Sequence, residues 1–166
     1  MKELLEGRRL GFAPRSHLAF VAIGLGFAAT LIDLMAWFGW GARDTNIFVV
    51  AAQWLVVSLV ILLGIAAITS VVEYGDVDPA DRGLARVDQA AAIGAVVLYG
   101  LSAVLRSVEL NQAAPSPAPF LLALAGFVLL IADAGLAANL YSTREWEELE
   151  DEPVRERHPR RRVAGR

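Results

Sequence analysis

The chain contains no cysteine and only two histidines, which removes several classes of redox and metal chemistry. Without cysteine there is no disulfide, no thiolate metal site, no thiol–disulfide oxidoreductase chemistry and no cysteine-based mercury transport. His17 and His158 are too few to supply the paired intramembrane histidines of a two-haem cytochrome bundle. We therefore expect neither a bound cofactor nor a metal ion.

The sequence also lacks the motif combinations that mark autonomous enzymes. It shows no nucleophile–base pair, no cluster of metal ligands and no nucleotide-binding loop. The formal net charge of −3 says little about partners, because the acidic residues cluster in two segments, 73–88 and 145–156. The protein is accordingly expected to be non-enzymatic.

Four long apolar runs dominate the chain of 166 residues, of which 56% are hydrophobic. A hydrocarbon core of about 30 Å is crossed by roughly 20 helical residues at 1.5 Å per residue. The runs therefore predict four membrane spans, at residues 18–40, 47–72, 87–108 and 119–141. We expect an all-α integral membrane four-helix bundle with antiparallel neighbouring spans, occupying residues 18–141 as one domain.

The fifteen basic residues are distributed unevenly around these runs. Four precede the first run, two lie between the second and the third, and seven follow the fourth. Only Arg43 and Arg106 lie elsewhere: Arg43 is in the first connection, and Arg106 directly follows the apolar core of the third run, residues 90–105. Because cytoplasmic loops retain Lys and Arg during insertion, this asymmetry predicts a multi-pass protein of the cell inner membrane with a cytoplasmic N-terminus and a cytoplasmic C-terminus.

The segments that precede and connect the predicted spans carry local signals. Residues 1–17 mix leucines with charges, which favours a short amphipathic segment at the cytoplasmic interface. Asp78 followed by Pro79 is a typical helix start, so the third helix should begin before it enters the membrane. Three prolines within residues 111–119 predict an extended external loop.

Residues 142–166 form a charged cytoplasmic tail. A capping box beginning at Ser142 and a direct continuation of the fourth helix are alternatives for its first part. After about residue 152 the proline and charge content predicts disorder. The arginines of the tail are expected to contact anionic lipid headgroups and not nucleic acid.

Polar side chains inside the predicted spans provide the candidate functional site. An aspartate near the centre of a span costs about 2.5 to 3.5 kcal/mol on insertion scales, so Asp33 and Asp133 should face other helices. Each shares a helix face with small residues, which let helices approach closely. In the third span a polar stripe recurs at helical spacing through Asp88 and Arg106. The resulting intramembrane polar seam consists of Asp33, Gln53, Tyr99, Ser102, Arg106 and Asp133.

Two interpretations of the polar seam are open. In the first, the aspartates are protonated or hydrogen-bonded packing residues, since polar contacts between spans are common and contribute about 0.6 kcal/mol on average. In the second, they form a proton or cation relay or a small-ligand pocket, because ionisable residues inside a membrane are functional candidates. Arg106 could either reach water at the outer end of its span or turn inward to Asp33.

Three short stretches carry a resemblance to a known family: YGLSAVLR at residues 99–106, ANLY at residues 138–141, and the pair Glu73 and Tyr74. In these stretches the chain resembles an uncharacterised bacterial family of four-span membrane proteins, domain of unknown function number twenty-two thirty-one. The resemblance covers roughly residues 16 to 146. It implies the four-span fold and its topology, and it transfers no catalytic residue.

The chain departs from the pattern of that family at several positions. Leu18 follows His17 where the family tends to have a His-Pro start, and Asp88 stands where a third-span histidine is usual. Several glycines of the fourth span are alanines here.

The leading hypothesis is a non-enzymatic membrane protein. It would be either a structural or accessory subunit or a small-solute or proton-handling module that uses Asp33, Asp133 and Arg106. One alternative is a membrane component of an oxidoreductase system whose cofactor is on a partner. Another is a small four-span exporter of the kind that inserts into the membrane in both orientations. The asymmetry of basic residues argues against such dual insertion. The expected partners are the lipid bilayer and either another membrane protein or further copies of the chain.

Overall fold

The computed structural model describes residues 14–40, 47–74, 79 and 82–151, with side chains left undescribed at 14–16, 73 and 137–151. These residues form four α-helices and no strand. In chain order the helices are α1 (Pro14–Trp37), α2 (Ile47–Tyr74), α3 (Arg82–Ser107) and α4 (Pro117–Asp151). Most of the predicted amphipathic segment 1–17 and the tail beyond residue 151 lie outside the described residues.

All four helices are long and apolar enough to span a bilayer. The candidate spans contain 21, 26, 26 and 20 residues, at His17–Trp37, Ile47–Val72, Arg82–Ser107 and Pro117–Leu136. These lengths match the roughly 20 residues that a hydrocarbon core requires. The expectation of an all-α fold with four helices of this length and apolarity is confirmed for the described residues, and it indicates a multi-pass membrane protein.

A glycine in the left-handed conformation ends α1. Gly39 has a φ of 72°. Its amide donates to the carbonyl oxygen of Ala36 at 3.0 Å, and the amide of Trp40 donates to the carbonyl oxygen of Met35 at 3.1 Å. This pair of bonds is the Schellman motif. It favours glycine because a Cβ would clash with the backbone in the left-handed conformation. The first helix therefore ends at Trp37, three residues before the predicted boundary.

The connection between α2 and α3 differs from its prediction. Pro79 lies in a turn, and the described part of α3 begins at Arg82. Pro79 is therefore not the first helical residue, and Asp78 lies outside the described part of the chain.

The bounds of α4 also differ from the predicted span. The helix begins at Pro117 instead of residue 119, because the Glu109 carboxylate accepts hydrogen bonds from the hydroxyl and amide of Ser116, which fixes the chain just before the helix. The predicted external loop thus ends at Ser116. The helix then runs without interruption to Asp151, so direct continuation, and not a capping box at Ser142, describes this segment.

Each helix packs mainly against two others: α2 and α4 are the main neighbours of both α1 and α3. The buried positions recur three and four residues apart, which is one face of an α-helix. The shared core consists of Ala22, Ala29, Val56, Leu59, Leu63, Ala95, Tyr99, Ala123 and Leu130. Large apolar side chains such as Phe20 and Trp54 point outward, 75% and 65% exposed, as expected of helices surrounded by lipid.

Two glycines allow α1 and α4 to approach the ring of Tyr99. A Cβ placed on Gly126 would lie 2.9 Å from that ring, and one on Gly26 would lie 2.8 Å from the Tyr99 hydroxyl and from the ring of Phe127. Small residues at helix contacts permit this close packing. Tyr99 therefore fills the space between α1 and α4 beside the polar site.

Candidate functional site

An ion pair between α1 and α3 forms the centre of the candidate site. Arg106 donates from Nη1 to Oδ1 of Asp33 at 2.7 Å and from Nη2 to Oδ2 at 2.5 Å. The side chains of Arg106 and Asp33 are only 1% and 0% exposed. Two parallel bonds between a planar guanidinium and a carboxylate form the strongest geometry for such a pair. Of the two orientations considered for Arg106, the inward one is observed.

Ser102 connects this ion pair to α4. It lies one helical turn before Arg106, and its Oγ accepts a hydrogen bond from Nε of Arg106 at 3.0 Å. The same hydroxyl donates to the carbonyl oxygen of Pro119 at 2.7 Å. A hydroxyl can donate and accept at once, so the bonds form one continuous chain. Three helices, α1, α3 and α4, are thereby joined through buried polar atoms.

The connection between α3 and α4 is fixed close to this site. Nε1 of Trp37 donates to the carbonyl oxygen of Pro115 at 2.8 Å, and its ring centroid lies 4.5 Å from that of Phe120. Glu109 accepts from the hydroxyl of Ser116 at 2.7 Å and from its amide at 3.1 Å. These contacts join the end of α1 to the connection and to the beginning of α4.

Gln53 and Tyr99 are also buried, but each has a polar atom without a hydrogen bond among the described residues. Nε2 of Gln53 donates to the carbonyl oxygen of Ala103 at 3.2 Å, which links α2 to α3. Oε1 of Gln53 and the hydroxyl of Tyr99 have no hydrogen-bond partner within the described part of the chain. Buried polar atoms are nearly always satisfied by protein or water, so these two atoms require an explanation.

Asp133 is buried but lies far from the ion pair. It is 8% exposed and follows Pro119 by fourteen residues on α4, which is about 21 Å along the helix axis. The structure therefore brings Asp33, Ser102 and Arg106 into direct contact, places Gln53 and Tyr99 on the surrounding buried surface, and leaves Asp133 apart.

Further buried polar residues were not included in the predicted polar seam. Asp88 is 2% exposed on the same face of α3 as Arg106, and Thr69 and Ser70 are 2% and 4% exposed on α2. The helical spacing of the α3 stripe places Asp88 on that face. Ser70 lies seven residues after Leu63 on the buried face of α2, but no sequence signal identifies that face because apolar residues occupy all sides of the helix.

The described residues contain no group of three or more His, Cys, Asp or Glu side chains that could hold a metal ion. Comparisons of the chain with protein-family models, with curated proteins and with solved structures find no match. The chemistry of the site must therefore be inferred from its own geometry.

Proposed function

We propose that the chain is a non-enzymatic four-span protein of a bacterial inner membrane that serves as a structural or accessory subunit. The observation that carries the proposal is the bidentate ion pair of Asp33 and Arg106. Both carboxylate oxygens of Asp33 accept bonds from Arg106, whose Nε is occupied by Ser102. Groups engaged in this way hold helices together and are not available to a substrate. The polar seam is thus proposed to fix the helix arrangement.

In the proposed topology, neighbouring helices are antiparallel and both termini are cytoplasmic. Two contacts support the antiparallel arrangement: Trp37 at the end of α1 bonds Pro115 just before α4, and Tyr74 at the end of α2 bonds Arg86 near the beginning of α3. The basic asymmetry of the sequence supports the orientation.

Reporter fusions test this topology directly. Fusions after residues 42, 76, 114 and 150 are expected to report outside, inside, outside and inside. Any exchange among these four signals would contradict the proposed threading.

Proteoliposomes test the structural role. Liposomes containing the full chain, loaded with a pH-sensitive dye and given a potassium diffusion potential, are expected to take up protons no faster than protein-free liposomes. The double variant Asp33→Asn with Arg106→Gln is the matched control and should give the same rate. Uptake above the protein-free rate that is lost in this variant would contradict a purely structural role.

A proton-handling or small-solute-handling module is the second candidate function. It is favoured by the buried Gln53 Oε1 and Tyr99 hydroxyl, which lack hydrogen-bond partners among the described residues and could contact a transferred species. Tyr99→Phe removes only the hydroxyl, so it separates transfer from packing. Proton uptake that disappears in Tyr99→Phe while the thermal midpoint stays unchanged would establish this alternative over the first.

A further inference from the structure

Two arginines near the beginning of α3 lie away from the ion pair and are not used by it. Arg82 and Arg86 are one helical turn apart, and both are exposed. Nε of Arg86 donates to the hydroxyl of Tyr74 at 2.9 Å, which joins the end of α2 to α3. A guanidinium has five N–H donors, so this bond orients the group while the donors of its two terminal nitrogens are not used by it.

The position of Arg86 relative to the membrane follows from Tyr74. The candidate span of α2 ends at Val72, so Tyr74 lies two residues beyond it, about 3 Å along the helix axis. The candidate span of α3 already begins at Arg82, but its 26 residues are longer than the roughly 20 that the hydrocarbon core requires, so its first turns extend beyond that core. The bond to Tyr74 therefore holds the guanidinium near the level where the hydrocarbon core ends. This is the depth of lipid headgroups.

An exposed apolar strip extends from Arg86 into the span. Ile93 and Val97 follow it by seven and eleven residues, which places all three on one face of α3, and they are 46% and 52% exposed. On the neighbouring α2, Val71 is 55% exposed. The Arg86 guanidinium at headgroup depth thus lies next to an exposed apolar surface that an acyl chain can contact.

We propose that Arg82 and Arg86, with Arg86 oriented by Tyr74, bind the phosphate of an anionic phospholipid whose acyl chain lies along Ile93 and Val97. The planar guanidinium matches phosphate oxygens with paired N–H donors. The segment 73–88 also carries acidic residues, so the preference for a headgroup with net negative charge rests on direct pairing of its phosphate with the two guanidinium groups. Each basic residue at an anionic lipid surface strengthens binding about fivefold.

Native mass spectrometry of the full chain in mild detergent measures this binding. With phosphatidylglycerol as the probe, Arg82→Gln and Arg86→Gln should each weaken the apparent affinity about fivefold, and the double variant about 25-fold. Tyr74→Phe keeps every charge and an almost identical shape, so it should fold normally and show a smaller loss. Phosphatidylcholine should bind weakly to the wild type and to every variant.

The matched control removes one arginine from the connection between α1 and α2. Arg43→Gln changes the net charge as much as each single variant in α3 but should retain the wild-type affinity for phosphatidylglycerol. The proposal would be overturned by an unchanged affinity of the Arg82/Arg86 double variant, or by a loss in Arg43→Gln equal to that in each single α3 variant. Equimolar inorganic phosphate that displaces the lipid would indicate a free-anion site and would also overturn it.

This lipid site rests on the proposed membrane embedding of α2 and α3, and the two can fail separately. Failure of the embedding would change the reporter signals after residues 76 and 114. Failure of the lipid site would leave those signals intact and abolish only the dependence of lipid affinity on Arg82 and Arg86.

Discussion

Asp33 and Arg106 are 73 positions apart in the chain, yet both carboxylate oxygens of the first meet the guanidinium of the second. The pair is almost completely closed to solvent. Each charge is therefore stabilised by the other and not by water. The helix arrangement should depend on both groups together, which can be measured.

The first prediction concerns the coupling of the two charges. Asp33→Asn or Arg106→Gln alone leaves a buried group without its counter-charge, and losses of this kind are about 3 to 5 kcal/mol. The double variant should recover part of the loss. Thermal and denaturant unfolding in detergent would measure this double-mutant cycle. The exposed Arg82→Gln is a control that should have little effect. Strictly additive losses would show that the pair is not coupled.

The second prediction tests the connection from α3 to α4 through Ser102. Ser102→Ala removes the hydroxyl that serves both Nε of Arg106 and the carbonyl of Pro119, leaving buried polar atoms unsatisfied. The expected loss in the free energy of unfolding is about 1 to 3 kcal/mol. Ser107→Ala is the matched control, because the hydrogen bond of that exposed hydroxyl goes to the carbonyl of Val104 in its own helix. Equal effects of the two variants would argue against the connection.

The third prediction concerns the close approach at Tyr99. A Cβ on Gly126 would lie 2.9 Å from the Tyr99 ring, so Gly126→Ala should force α4 outward and lower stability by about 1 to 3 kcal/mol. Gly24→Ala is the control, since nothing lies within 4 Å of a Cβ there. Alanine is the better helix former, so Gly24→Ala should be neutral or stabilising by up to about 1 kcal/mol. A neutral Gly126→Ala in the same thermal assay would contradict the packing.

The buried face of α3 could be predicted from the sequence, whereas that of α2 could not. Polar and small residues recur at helical spacing in α3, and positions from Asp88 to Arg106 on this stripe are buried as expected. In α2 apolar residues occupy all sides, so spacing does not distinguish a buried face. Helical spacing from Gln53 points to Gly64 and Ala67, 11 and 14 residues further on. Those two residues are only half-buried, and the buried face follows Val49, Val56 and Leu63 instead.

The long-range partner of Arg106 and the bounds of the helices are the other features that the sequence leaves undecided. Whether Arg106 reaches Asp33 depends on the relative offset of α1 and α3, which no local pattern encodes. The early end of α1 depends on the left-handed conformation of Gly39, and the early beginning of α4 depends on Glu109 reaching Ser116. Each requires the arrangement of backbone atoms around one turn, so composition alone locates these ends only to within a few residues.

The last prediction concerns Trp37, which links the end of α1 to the connection between α3 and α4. Trp37→Phe keeps an aromatic ring beside Phe120 but removes the donor to the carbonyl of Pro115, a bond expected to contribute about 0.5 to 1.5 kcal/mol. Because Trp37 is 42% exposed, the effect should fall in the lower part of that range. Hydrogen exchange should then accelerate across residues 108–116, since this bond restrains the connection.

Trp40→Phe provides the matched control for this measurement, because it makes the same side-chain change at a residue that is 67% exposed. It should leave exchange across residues 108–116 unchanged. Faster exchange confined to Trp37→Phe would show that the indole donor orders the segment next to Arg106. Equal exchange in both variants would instead mean that Glu109 and Ser116 hold the connection without help from α1.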